Sequence, residues 1–181
     1  MTLSTEHQQT LSGIAKWAIR ETLLNGKASV LPGQFIIDEA LKSKSGAFVS
    51  VYVKNDLRGC IGTFSETDEL YRNVWNMAVQ AAFEDRRFKP VTQDDLPNMK
   101  IELSILTPRT RIHGPEDIVI GKHGIYMILG MRRATLLPQV ATRNNWDALR
   151  FLECCAENKL GMYRDSWKEA ELYTYEAIII S

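Results

Sequence analysis

Residues 47–53 alternate without a break, with Ala47, Val49, Val51 and Val53 on one face and Phe48, Ser50 and Tyr52 on the other. Period-two alternation of this length marks a β-strand with one buried face. Lys54-Asn55-Asp56 then supplies turn chemistry, and Leu57-Arg58-Gly59-Cys60-Ile61-Gly62 resumes an extended run. The two runs predict an antiparallel hairpin, and the rest of the chain has to cover its apolar face.

Helical patterns flank the hairpin. Thr5 followed by Gln8 resembles a capping box, and Leu11, Ile14, Ala15, Ala18, Thr22 and Leu23 recur at helical spacing, predicting a helix over about residues 6–24. Asn25-Gly26-Lys27 stops it, and a loop with Pro32-Gly33 leads to residues 36–42, which read as a strand or a helical turn. Thr67-Asp68-Glu69 gives a second helix a capped, acidic start, Leu70, Val74, Met77, Ala78, Ala81 and Ala82 form its stripe, and it ends near Phe83. A charged loop over 84–90 follows, closed by Pro90, which forbids helical continuation. Ile101, Leu103 and Ile105 then alternate with Glu102 and Ser104, the pattern of a half-buried strand.

The middle third reads as short strands over 117–120, 124–129 and 134–137, punctuated by glycine and proline. This β-rich stretch, about residues 107–140, is a candidate small lobe within one domain spanning the 181 residues, the larger lobe being built from both chain ends. Asn144 or Asn145 caps a third helix carrying Leu149, Leu152, Ala156 and Leu160 and ending at Gly161, and residues 172–180 form the last strand. Helices and strands interleave without βαβ regularity. The expected class is therefore α+β, a mostly antiparallel sheet flanked by helices.

Twenty-two Lys and Arg balance 22 Asp and Glu, so no global field recruits nucleic acid or an anionic membrane. The three cysteines, Cys60, Cys154 and Cys155, lack CxxC or Cys/His spacing, which argues against zinc, any other metal and a disulfide framework, and no cofactor is implied. Residues 1–7 are polar and no later stretch has the length of a bilayer span, so the expected location is the reducing cytoplasm.

Packing alone does not account for the hexapeptide 57–62. Arg58 and Cys60, two apart on a strand, should share a face about 7 Å from one another, where a guanidinium favours thiolate. Gly59 and Gly62 leave room for another backbone or a ligand. Against this stands a plain packing thiol, since free cysteine is among the most buried residue types. A catalytic thiol needs a base, and His123, in the Gly-flanked turn Gly121-Lys122-His123-Gly124, is the best candidate, ahead of His113 and His7. Glu102 and Ser104 share a polar strand face and could orient a ligand or act as acid and base. Asp85 and Arg87 suit an ion pair fixing the loop after the second helix, although Arg87 could equally serve a binding site. Gln139 offers a donor and an acceptor from a rigid strand end, and Cys154 and Cys155 read as packing residues.

Six blocks occur in one order along the chain: LRGCIGTF (57–64), AAFEDRRFKPV (81–91), IELSIL (101–106), IGKHGI (120–125), LLPQVA (136–141) and YEA (175–177). Together they resemble the AMMECR-domain family, of which LRGCIG is the signature hexapeptide. The resemblance implies a two-lobed α/β domain with the hexapeptide strand beside a cleft between the lobes. It also implies association with a Memo-like protein and a radical S-adenosylmethionine protein. Glu102 and Ser104 fall among the characteristic positions of the family. Two positions depart from the pattern: Arg86 stands where proline often precedes Arg-Phe, and Met131-Arg132-Arg133-Ala134 replaces a more apolar approach to the LPQV block.

Two functional readings follow. In the first, the chain is an enzyme or an enzyme's substrate-handling subunit, with Cys60 as thiolate beside Arg58, His123 as base, and Glu102 with Gln139 fixing a small polar substrate. In the second, Arg58, Arg87, Lys122 and Arg132 line a non-catalytic site for an anion, a nucleotide or a partner carboxylate.

Overall fold

The computed structural model describes residues 2–27 and 30–181; Met1, the first residue of the polar N-terminal stretch, lies outside them. In chain order the elements are α1 (Thr5–Asn25), β1 (Ala47–Val53), β2 (Asp56–Thr63), α2 (Leu70–Phe83), β3 (Met99–Leu106), β4 (Thr110–Ile112), β5 (Gly124–Leu129), β6 (Arg132–Leu136), α3 (Pro138–Arg143), α4 (Ala148–Cys155), β7 (Glu171–Tyr175) and β8 (Ala177–Ile180). The strands form two four-stranded antiparallel sheets, so the fold is α+β. The chain divides into two compact units, Met1–Leu106 with Ile178–Ser181, and Thr107–Ala177.

In the first unit the strand order is β2-β1-β3-β8. The β1–β2 hairpin forms as the alternation predicts, and Lys54 and Asn55 both take positive φ (52° and 71°), as a two-residue hairpin turn requires. Val49, Val51, Leu103 and Ile105 are fully buried, in one core with Leu11 and Ile19 of α1 and Leu70, Val74 and Ala78 of α2. Each such valine, leucine or isoleucine contributes about 1.5–3 kcal/mol on removal from water.

The helix caps differ from the sequence expectation. Ser4, not Thr5, caps α1: its Oγ accepts from His7 N at 3.2 Å, and Ser4 N donates to His7 Nδ1 at 3.1 Å. No side chain caps α2; instead buried Asn73 donates from Nδ2 to Ser45 O at 2.8 Å and so ties the helix to the approach to β1. Residues 36–38 have no regular structure and 39–42 form a turn, where Asp38 Oδ1 accepts from Ala40 N and Leu41 N.

The second unit has the order β4-β7-β5-β6, with Ile125, Met127, Phe151, Leu152 and Cys155 in its core. It runs well past residue 140, because β7 pairs with both β4 and β5. Residues 117–120 are not a strand: Pro115 opens a single 3₁₀ turn and Gly121 takes φ +85°. Residues 138–143 are helical, with Pro138 in the first turn, where its missing N–H costs nothing. Asp147 caps α4, accepting from Arg150 N at 2.7 Å, in place of Asn144 or Asn145. The expected last strand is two, β7 and β8, belonging to different sheets. Cys154 and Cys155 are buried, and desolvation pushes the Cys155 thiol up to about 12. Among the described residues no helix is long and apolar enough to cross a membrane, and no group of three metal-ligating side chains occurs.

Candidate functional site

Register builds the site. Ser50 of β1 pairs with Cys60 of β2 on one side and with Glu102 of β3 on the other, so the three stand in one row across the sheet. Ser50 Oγ donates to Cys60 Sγ at 3.3 Å. The residues that precede and follow Ser50 on its face, Phe48 and Tyr52, pair with Ser104 and Lys100 of β3. This face is the one opposite the core residues Val49 and Val51, and Cys60, Ser50 and Glu102 are all half-buried there.

A loop clasps the Cys60 backbone. β2 is an edge strand, and the Cys60 peptide groups point outward: Asp85 Oδ2 accepts from Cys60 N at 2.9 Å, and Arg87 Nη2 donates to Cys60 O at 2.8 Å. Arg87 Nε and Nη2 also donate to Asp85 Oδ1 and Oδ2 at 2.9 and 2.7 Å. The pair therefore satisfies an edge that would otherwise offer itself to another strand. Outward-facing peptide groups also make Cys60 and Ser50 a non-hydrogen-bonded pair, the type with closer side chains. Asp85 is buried, with a side chain 5% exposed, while Arg87 is 65% exposed. Hydrogen bonds from Arg87, and then from the Cys60 and Arg87 amides, outweigh desolvation and hold the Asp85 carboxyl far below the ordinary range.

Arg58 does not serve Cys60. Gly59 pairs with Val51 and Leu57 with Tyr52, so Arg58 is the surplus residue of a β-bulge. Its guanidinium turns to Asp95, with Nη1 and Nη2 donating to Oδ2 and Oδ1 at 3.0 and 3.4 Å. Asp95 also accepts from Thr92 N and Oγ1, and the Thr92 amide is the main cause holding its carboxyl below the ordinary value.

The two glycines leave no room for a ligand. A Cβ on Gly59 would lie 1.8 Å from Ala81 O, because the α2 backbone packs directly on the strand there. A Cβ on Gly62 would lie 2.2 Å from the Phe48 ring, which covers it and meets Phe64 edge-on at 4.9 Å between centroids.

The remaining candidates lie in the second unit, where most are committed to its own framework. His123 Nδ1 accepts from Val119 N at 3.1 Å. An amide can only donate, so neutral His123 carries its proton on Nε2 and has no lone pair left to act as a base. Lys122 Nζ pairs with Glu176 Oε1 at 3.2 Å. Arg132 Nη1 donates to Leu160 O and Gly161 O at 3.0 and 3.2 Å, closing the helical turn that ends at Gly161. Gln139 lies in the first turn of α3 rather than at a strand end, half-buried and without a hydrogen bond among the described residues.

Sequence reasoning missed Ser50 and Asp95. Ser50 carried one signal, being the polar residue between two aromatics on an otherwise apolar strand face.

The chain is a two-sheet α+β protein whose edge strand carries a half-buried thiol, its backbone held by a carboxylate–guanidinium clasp. The match to the AMMECR1 family runs over residues 13–180, and the chain belongs to that family. Protein NEQ441 of Nanoarchaeum equitans is 38% identical over 171 residues, covering 89% of this chain and 93% of that protein. A protein of Methanothermobacter thermautotrophicus is 35% identical over 179 residues, covering 96% and 92%. The crystal structure of protein PH0010 from Pyrococcus horikoshii superposes with a TM-score of 0.83 at 31% identity, covering 98% of this chain and 92% of that one.

Proposed function

We propose that the chain is a thiol-dependent enzyme, or the substrate-handling subunit of one, acting on a small molecule or in a modification step, with Cys60 as the nucleophile. The observation that carries this reading is the Ser50 hydroxyl at 3.3 Å from Cys60 Sγ in a row that ends in the Glu102 carboxylate. A hydroxyl donating to sulfur stabilises thiolate, and Glu102 replaces His123 as the acid–base group. As sulfur adds to the carbon of a polarised double bond in the substrate, the C–S bond forms, the π pair passes to the heteroatom, and the thiol proton follows it by way of Glu102. A reducing cytoplasmic compartment suits this chemistry, because it keeps Cys60 as a thiol. The Memo-like and radical S-adenosylmethionine proteins implied by the family resemblance are the proposed partners.

The anion-binding reading has less support. Arg58, Arg87, Lys122 and Arg132 each already contact a protein acceptor.

Iodoacetamide tests the thiol reading. At pH 7 Cys60 should be alkylated faster than a model peptide thiol, and Ser50→Ala should slow it several-fold, with the Cys60 peptide read by mass. A rate no faster than that of the model thiol, unchanged in Ser50→Ala, would mark Cys60 as a packing residue.

A further inference from the structure

The charges on the Cys60 face bear on what kind of substrate it can attract, a deepening that rests on the thiol reading above. The guanidinium on the Cys60 strand and the one that reaches the Cys60 carbonyl are neutralised locally, Arg58 by Asp95 and Arg87 by Asp85. Lys100, one row along from Glu102 at the hairpin end of the sheet, keeps its charge but is held to Asn55 Oδ1 at 2.9 Å and makes no ion pair with Glu102 among the described residues. The Glu102 carboxylate has no hydrogen bond or ion pair among the described residues, and it stands in the same row as the thiol. A half-buried carboxylate with no cation in contact attracts positive charge and repels negative charge more strongly than it would in open water. Phe48 and Tyr52 flank the row on the same face, and aromatic rings add to the attraction for cationic nitrogen.

We infer that the site takes a cationic substrate, one bearing an ammonium or guanidinium group, with Glu102 as its anchor and the electrophilic atom a short chain away over Cys60 Sγ. Two strand spacings, about 9.6 Å, separate the backbones of Cys60 and Glu102, so the side chains bracket a molecule of a few bonds' length. The carboxylate has two oxygens and can hold the cation on one while the other faces Ser50. Phosphorylated or carboxylate substrates are excluded from the same place by repulsion, first from Glu102 and then from the thiolate itself.

Methanethiosulfonates of opposite charge are the probes. In each, the thiolate attacks the sulfenyl sulfur, a disulfide forms and methanesulfinate leaves, so only the charge of the transferred group differs. On the intact chain, the rate ratio of the trimethylammonioethyl to the sulfonatoethyl reagent at Cys60 should exceed that of a neutral cysteine peptide by about tenfold. Glu102→Gln should return the ratio to the peptide value. If that variant does not fold, raising the salt on the native chain should reduce the ratio in its place. A ratio equal to or below that of the peptide, with Cys60 still reactive, overturns the cation inference and leaves the thiol reading standing. No reaction at Cys60 with either reagent overturns both.

Discussion

The two units use the same kinds of side chain to different ends. In the second unit three of the polar side chains that stand out in sequence are tied to its own framework: His123 accepts from Val119 N, Lys122 pairs with Glu176, and Arg132 closes a helical turn. In the first unit the charged groups also pair off, yet they do so at the edge of the sheet, through Asp85–Arg87 and Arg58–Asp95. That leaves the Cys60–Ser50–Glu102 row with a carboxylate unmatched and a sulfur receiving a hydroxyl proton. A residue type therefore signals chemistry only after its lone pairs and protons have been accounted for.

The contrast breaks most readily where the edge strand meets α2. Gly59→Ala would drive a methyl group into the Ala81 carbonyl, a backbone atom that cannot move aside, and should cost about 3 kcal/mol of stability in urea unfolding. Gly62→Ala meets a ring that can turn, and should cost about 1 kcal/mol. Equal effects would mean that α2 is not the fixed wall behind the strand.

Removing the clasp should come next in size after Gly59→Ala. Asp85→Ala leaves the Cys60 amide and the Arg87 guanidinium without their acceptor and should cost about 1–3 kcal/mol. The pH dependence has a definite sign. The folded Asp85 carboxyl lies below its unfolded value of about 3.9, so its contribution is complete above pH 4 and is lost as pH falls toward the folded value. Asp85→Asn should be less stable than the native chain at pH 7, with the gap closing below pH 4. A gap independent of pH would show that the clasp works by shape rather than by charge.

The fold was legible where a pattern is local. Seven alternating residues and a two-residue turn fix the hairpin, and the stripe from Leu70 to Ala82 fixes α2. Short elements escaped: α3 has six residues, too few for a periodic stripe, and its opening proline reads as a breaker unless it is known to stand in a first turn. The site was legible in its parts and not in its assembly. Cys60 and Glu102 each stand out in sequence, but the row joining them depends on β1 pairing with β3 across some fifty residues, and periodicity does not encode such a register. The bulge that turns Arg58 away is hidden for the same reason, because alternation assigns it to the Cys60 face until the pairing with β1 is known.

Arg58 gives the smallest effect and the sharpest discrimination. Alternation along the strand places a guanidinium beside the thiol, and on that basis Arg58→Ala should slow alkylation of Cys60. The bulge and the bidentate contact with Asp95 assign Arg58 instead to the 3₁₀ turn over Gln93–Asn98. The half-buried pair contributes about 1 kcal/mol to stability, so Arg58→Ala should lower the urea midpoint slightly while changing the iodoacetamide rate by less than about twofold. His123→Ala should likewise leave that rate unaltered, because its acceptor nitrogen is held by Val119 N. Since Ser50→Ala slows the reaction under the proposed function, the three variants separate the row from its sequence neighbours. A marked slowing in Arg58→Ala with Ser50→Ala unaffected would return the thiol to the guanidinium and dissolve the row.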